Sequence, residues 1–214
     1  MQIAIIGSGN VGRALASSMT KAGHDVTLSA TDEAHAREAA AQTGATAASS
    51  NEDAVSTADV VVLAVPASSL DAIADEIGEV LKGKVVVDVA NRPTPPADGP
   101  ATSIAEELQG KLPGASVVKA FNTALASRQA DPRVAGIASD GFVAGDDAAA
   151  KQTVLELVES IGFRPVDAGS LVAARTLEGM AWLNISRNIA GGTWQDAWVL
   201  VGPELTDAAS QNRN

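Results

Sequence analysis

Residues 3–12 read Ile3-Ala4-Ile5-Ile6-Gly7-Ser8-Gly9-Asn10-Val11-Gly12, four apolar residues running straight into Gly-x-Gly-x-x-Gly, with a helical pattern over residues 11–22. Strand, glycine turn and helix in that order is the setting in which this spacing binds a dinucleotide. Gly7 permits the tight turn, Gly9 lets the backbone approach a pyrophosphate, and Gly12 lets the helix pack close to the strand. Amides at the helix start, with the positive end of its dipole, then hold the phosphates. Glycines also make strand-to-helix turns that bind nothing. A second strand at residues 24–29 completes the expected unit and favours the binding reading.

Outward from this motif, apolar runs recur at residues 26–28, 60–65, 85–89, 117–120, 142–144 and 165–166, with helical stretches between them. This alternation predicts an α/β fold, a Rossmann-type doubly wound and mostly parallel sheet with a small helical C-terminal extension. The expected division is a nucleotide-binding domain at 1–167, a helical extension at 168–201 and a polar tail at 202–214. Helices are predicted over 148–161 and 170–189, the second carrying Met180, Trp182, Leu183 and Ile185. The proline-rich stretch 92–100 follows a strand end, which makes it a candidate wall of the pocket.

The chain has 214 residues, 46% hydrophobic, enough for one sizeable core. A net charge of -11 leaves no spare basic residues for a nucleic-acid face. Absence of cysteine excludes disulfides and thiolate chemistry, and two histidines, His24 and His35, offer no metal-ligand pattern. The first strand leaves no room for a signal peptide, and no apolar run reaches membrane-spanning length, so a cytoplasmic location is expected.

Four strand ends converge on the expected crevice: residues 7–12, 29–32, 64–66 and 88–91. Pro66 offers a flat apolar surface to a ribose or ring, or simply ends a strand. Asn91 offers a donor and an acceptor to a nicotinamide, or caps its own turn. Asp32 lies where an acidic group binds the adenosine ribose and repels a 2'-phosphate, yet it also begins a helix N-cap pattern. Arg13 and Arg37 are the nearest candidates for a phosphate clamp, or lie on solvated helix faces. There is no Tyr-x-x-x-Lys pair and no lysine beyond Lys151. Reduction of a carbonyl or imine needs a proton donor; a flavin-like ring takes the hydride while solvent settles the proton. Hydride exchange between two cofactors by positioning is therefore favoured, with Glu178 and Asp167 as the remaining acids.

The stretches Gly7-Ser-Gly-Asn-Val-Gly12, Val117-Val-Lys-Ala-Phe-Asn-Thr123 and Phe163-Arg-Pro-Val-Asp-Ala-Gly-Ser-Leu171 resemble, in order and spacing, the family of NADP oxidoreductases dependent on coenzyme F-420 (F420). The cytosolic domain of membrane metalloreductases is similar. The resemblance implies a dimeric Rossmann-type protein in which NADPH and a deazaflavin or flavin meet in one cleft. It implies that Gly7, Ser8, Gly9, Asn10, Val11 and Gly12 hold the pyrophosphate and that Ala30, Thr31 and Asp32 face the 2'-phosphate. Val65, Pro66, Ala90 and Asn91 would lie beside the nicotinamide, with Asn122 and Thr123 on the acceptor side. Thr31 and Asp32 replace the family's Ser-Arg grip, which leaves NADP(H) and NAD(H) both open. Asn122 stands where archaeal members have histidine, which leaves F420 or a flavin open as co-substrate. Other readings are a flavin, ferric-chelate or imine reductase on the same fold, and a dinucleotide-sensing module using residues 182–198 as its partner surface. Trp194 and Trp198, one helical turn apart, are expected in a core or homodimer interface.

Overall fold

Four consecutive apolar residues cannot all lie on one face of a strand, so Ile3, Ala4, Ile5 and Ile6 demand cover on both sides. The computed structural model, which describes residues 1–92 and 102–202, supplies it. The chain forms β1 (Gln2–Ile6), α1 (Asn10–Lys21), β2 (Asp25–Ser29), α2 (Glu33–Thr43), β3 (Thr46–Ala47), α3 (Asn51–Ser56), β4 (Val60–Leu63) and α4 (Leu70–Ile77). It continues through β5 (Val85–Asp88), α5 (Ile104–Lys111), β6 (Ser116–Lys119), α6 (Ala126–Ala130), β7 (Arg133–Val134) and β8 (Ile137–Ala138). Finally come β9 (Asp140–Gly145), α7 (Ala148–Ser160), β10 (Arg164–Gly169) and α8 (Ala174–Ile189).

The main sheet runs β3-β2-β1-β4-β5-β6-β9-β10, parallel throughout except where β9 meets β6 antiparallel. Side-chain alternation divides its buried residues into two cores. Ile3, Ile5, Val60, Val62, Val87 and Val118 face α1, α2 and α7. Ala4, Ile6, Val61, Leu63, Val86 and Val117 face α3, α4 and α5. Each buried Val, Leu or Ile contributes about 1.5–3 kcal/mol, and these aliphatic layers hold the strand ends in register. Strand order reverses between β1 and β4, which opens a crevice at their carboxyl ends.

In the C-terminal part β10 runs to Gly169, and α8 stops at Ile189, where the helix expected over 170–189 ends, because Gly191, at φ +117°, takes a conformation that side chains resist. Trp194 and Trp198 are thus not on a helix. Trp198 packs with Leu177, Met180 and Phe142, whereas Trp194 is 46% exposed. The Asp140 amide donates to the Trp198 carbonyl at 2.9 Å, laying this segment beside β9. The proline-rich stretch beyond Arg92 and the tail beyond Gly202 lie outside the described residues.

Candidate functional site

The three glycines of the first turn have three different surroundings. A Cβ on Gly7 would stand 2.3 Å from the Ala64 carbonyl oxygen, and one on Gly12 would stand 1.9 Å from that of Gly7. Both are therefore fixed by internal packing. A Cβ on Gly9 would meet nothing within 4 Å: its open side faces outward, at the N-cap of α1. No side chain caps that helix, so its first-turn amides keep their donors for an incoming group. Ser8 and Asn10 flank Gly9, and Val11 turns inward against the core. This cradle fits a pyrophosphate.

Beside it lies a cavity of about 280 Å³ lined by Gly7, Ser8, Gly9, Ala30, Thr31, Asn51, Val65 and Pro66, among others. Seven of the sequence-predicted residues thus meet in one place. Asn51 was not foreseen. Its carbonyl oxygen accepts from Ser29 Oγ at 2.6 Å and its amide donates to Glu76 at 3.0 Å, which pins the end of β2 to the cavity wall. Asp32 resolves as a helix cap: its Oδ1 accepts the His35 amide at 2.9 Å at the start of α2. That bond, followed by the nearby His35 ring, holds its carboxyl below the usual range. Arg13 is committed to the Ser8 carbonyl at 2.8 Å and to Glu38 and Gln42, and Arg37 pairs with Glu33. Neither stands as a free phosphate clamp.

The nicotinamide-side candidates Ala90 and Asn91 and the acceptor-side candidates Asn122 and Thr123 gather just past the ends of β5 and β6. Asn91 Nδ2 donates to the Asn122 main-chain carbonyl at 2.9 Å, and Asn122 Nδ2 donates to Asn91 Oδ1 at 2.9 Å. Asn122 Oδ1 is left buried without a partner. Phe121, at φ +61° and 1% exposed, holds a left-handed backbone that costs about 1–3 kcal/mol and turns Asn122 off the strand. Thr123 is buried next to it, its carbonyl within 3.5 Å of Asn184 Nδ2 on α8. Ala90, also buried, is held by its main chain.

Lys119 escaped the sequence reading. It is 0% exposed and donates to Asp88 Oδ2 at 2.8 Å, the Ala90 carbonyl at 2.5 Å and Glu178 Oε1 at 3.1 Å. Glu178, considered as an acid, is instead a member of this cluster; burial raises its pKa while Lys119 pulls it back. Asp167 pairs with Lys151 at 3.0 Å. Among the described residues no group of three His, Cys, Asp or Glu side chains gathers to hold a metal, and no helix is long and apolar enough to cross a membrane.

The family model for NADP oxidoreductases dependent on coenzyme F420 matches residues 2–92. The F420-dependent NADP reductase of Methanothermobacter marburgensis is 31% identical, over 88% of this chain and 93% of its own. The chain belongs to the coenzyme F420-dependent NADP oxidoreductase family. Members of that family are NADP-dependent oxidoreductases. A solved structure from Arthrobacter sp. FB24, provisionally described as an F420-dependent NADP-reductase, superposes with a TM-score of 0.85 at 31% identity, over 94% of this chain and 100% of that one. Metalloreductase STEAP3 of Rattus norvegicus is 35% identical over 83% of this chain, which spans only 36% of that longer protein.

Proposed function

We propose that this protein transfers hydride between NADP(H) and the deazaflavin F420. The observation that carries the reading is the open cradle at Gly9, on an uncapped helix at the β1/β4 crevice, in a chain of this family. When bound, the nicotinamide supplies a C–H bond that breaks with its electron pair as a new C–H bond forms on the acceptor ring, and solvent supplies the balancing proton. The protein's own work is placement. Gly7 and Gly12 shape the turn, the α1 amides meet the phosphates, Val65, Pro66 and Asn91 line the nicotinamide side, and Asn122, which holds Asn91, lies on the acceptor side. Among the described residues, Asn122 and Thr123 on the acceptor side are neither acid nor base, which agrees with a reaction that needs none from the protein.

The second reading is a flavin or ferric-chelate reductase, favoured by the 35% identity to the rat metalloreductase over 83% of this chain. We also propose a cytoplasmic homodimer formed through the C-terminal segment, where Leu183, Ile189, Trp194 and Leu200 are exposed; a one-chain mass in light scattering overturns it.

The test is to mix the protein with F420 and NADPH or NADH and follow loss of the deazaflavin's visible absorbance. Turnover supports the proposal. Nucleotide binding without turnover, together with activity on free flavin or ferric chelate, moves the assignment to the second reading.

A further inference from the structure

An ammonium taken out of water needs each of its three protons matched. At the end of β6, Lys119 matches them with Asp88, Glu178 and the carbonyl of Ala90. Asp88 Oδ1 in turn accepts the Ala90 amide at 2.9 Å. Ala90 is thus gripped through both of its main-chain polar groups, the carbonyl by Lys119 and the amide by Asp88. It lies beyond Asp88 and Lys119, the last paired residues of β5 and β6, so the sheet itself no longer holds it. The next residue is Asn91, which closes on Asn122. Glu178 reaches in from α8 and also accepts the Ile104 amide at 2.8 Å, so one carboxylate joins β6, α5 and α8. Arg92 lies at the rim, its Nε 3.9 Å from Glu178 Oε2.

For stability alone this cluster is a poor choice. Apolar residues of similar volume in place of a buried ion pair are often neutral or stabilising, and the rest of β5 and β6 buries valine. What valine lacks is the means to fix a carbonyl and an amide at a chosen place past the end of a ladder. We propose that Lys119 is a positioning residue: with Asp88 and Glu178 it sets the Ala90–Asn91 backbone against the nicotinamide end of the cofactor and makes that placement depend on α8. This rests on the nucleotide-binding reading above.

The test compares two ligands by calorimetry on the full chain: NADPH, and 2'-phospho-ADP-ribose, which lacks the nicotinamide. Should the protein prefer NADH, the pair is NADH and ADP-ribose. In Lys119→Met, affinity for the fragment is expected to stay within about twofold, while the advantage of the whole dinucleotide over the fragment shrinks by about tenfold. The emission of bound NADPH is expected to shift toward that of the free nucleotide. Glu178→Gln, which keeps the oxygen facing Lys119, is expected to move both readouts in the same direction and serves should Lys119→Met not fold. A folded variant that loses stability but keeps the wild-type ratio and emission makes the cluster merely structural and overturns the inference. Wild-type protein that binds neither ligand overturns the nucleotide reading itself, and the inference with it.

Discussion

Asn91 and Asn122 fix one another's orientation. A main-chain carbonyl only accepts, so the Asn91 group 2.9 Å from the Asn122 carbonyl must be its amide nitrogen. The Asn91 oxygen then faces Asn122, which must answer with its own nitrogen, at 2.9 Å. The free group of Asn122 is therefore an acceptor, buried and unmatched. Asn91→Ala strips two partners from Asn122, which is 4% exposed, and is expected to cost about 1–3 kcal/mol in denaturant unfolding. Asn122→Asp sets a carboxylate against the Asn91 oxygen and is expected to cost more. Equal stability of Asn122→Asp and wild type at neutral pH would show that the pair does not form.

Asp32 caps α2 through its Oδ1 and stands just past the end of β2, where the proposed reading puts the adenosine ribose. Asparagine caps as well but carries no charge to repel a 2'-phosphate. Asp32→Asn is expected to keep the thermal midpoint and to raise the NADPH-to-NADH affinity ratio by about fivefold to tenfold. An unchanged ratio in calorimetry would place the 2'-phosphate away from this carboxylate.

The Gly7 to Gly12 turn and the alternation of strands and helices were legible because both are written in short-range sequence. A strand covered on both faces must be apolar at every position, and residues 3–6, 60–63 and 85–87 are. β3 and the β7–β8 hairpin, two residues per strand, are too short to show any period. Gly191 and Gly192 mark the end of α8 at Ile189 as the sequence led one to expect, but the same glycines break the helical register that the spacing of Trp194 and Trp198 suggested. Lys119 was hidden for another reason. Its carboxylate partners lie 31 and 59 positions away, so nothing near it in the chain distinguishes a buried, fully matched lysine from one that ends a strand in solvent.

Arg175 grips Glu106 with two bonds, Nε to Oε2 at 2.8 Å and Nη2 to Oε1 at 2.6 Å, tying α8 to α5. With help from Ser103, it holds the Glu106 carboxyl at about 2, against an ordinary 4.5. The folded form therefore gains stability that is fully present above pH 4.5 and is lost as pH falls toward 2. The guanidinium is 37% exposed, so water screens the pair, and Glu106→Gln is expected to cost about 2 kcal/mol at neutral pH. In unfolding curves taken from pH 7 downward, the gap between wild type and variant is expected to narrow with acidity. A constant gap would show that the Glu106 carboxyl is not held low in the folded protein.

Gly9 and Gly12 belong to one motif but are constrained from opposite sides, and alanine separates them. At Gly12 the added Cβ would stand 1.9 Å from the Gly7 carbonyl oxygen, a clash between main-chain segments that no side-chain rotation relieves. Gly12→Ala is thus expected to lower the thermal midpoint by several degrees, about the effect of 1–3 kcal/mol of overpacking, whether or not nucleotide is present. At Gly9 the added methyl meets nothing, and its φ of -71° suits any residue. Gly9→Ala is expected to keep the wild-type midpoint without ligand, yet to weaken nucleotide binding tenfold or more, because the methyl occupies the path of the pyrophosphate to the α1 amides. Its signature is the loss of the midpoint rise that saturating NADPH is expected to give the wild type. A Gly9→Ala protein that binds NADPH as tightly as wild type would remove the pyrophosphate from this turn, and with it the observation on which the hydride-transfer assignment stands.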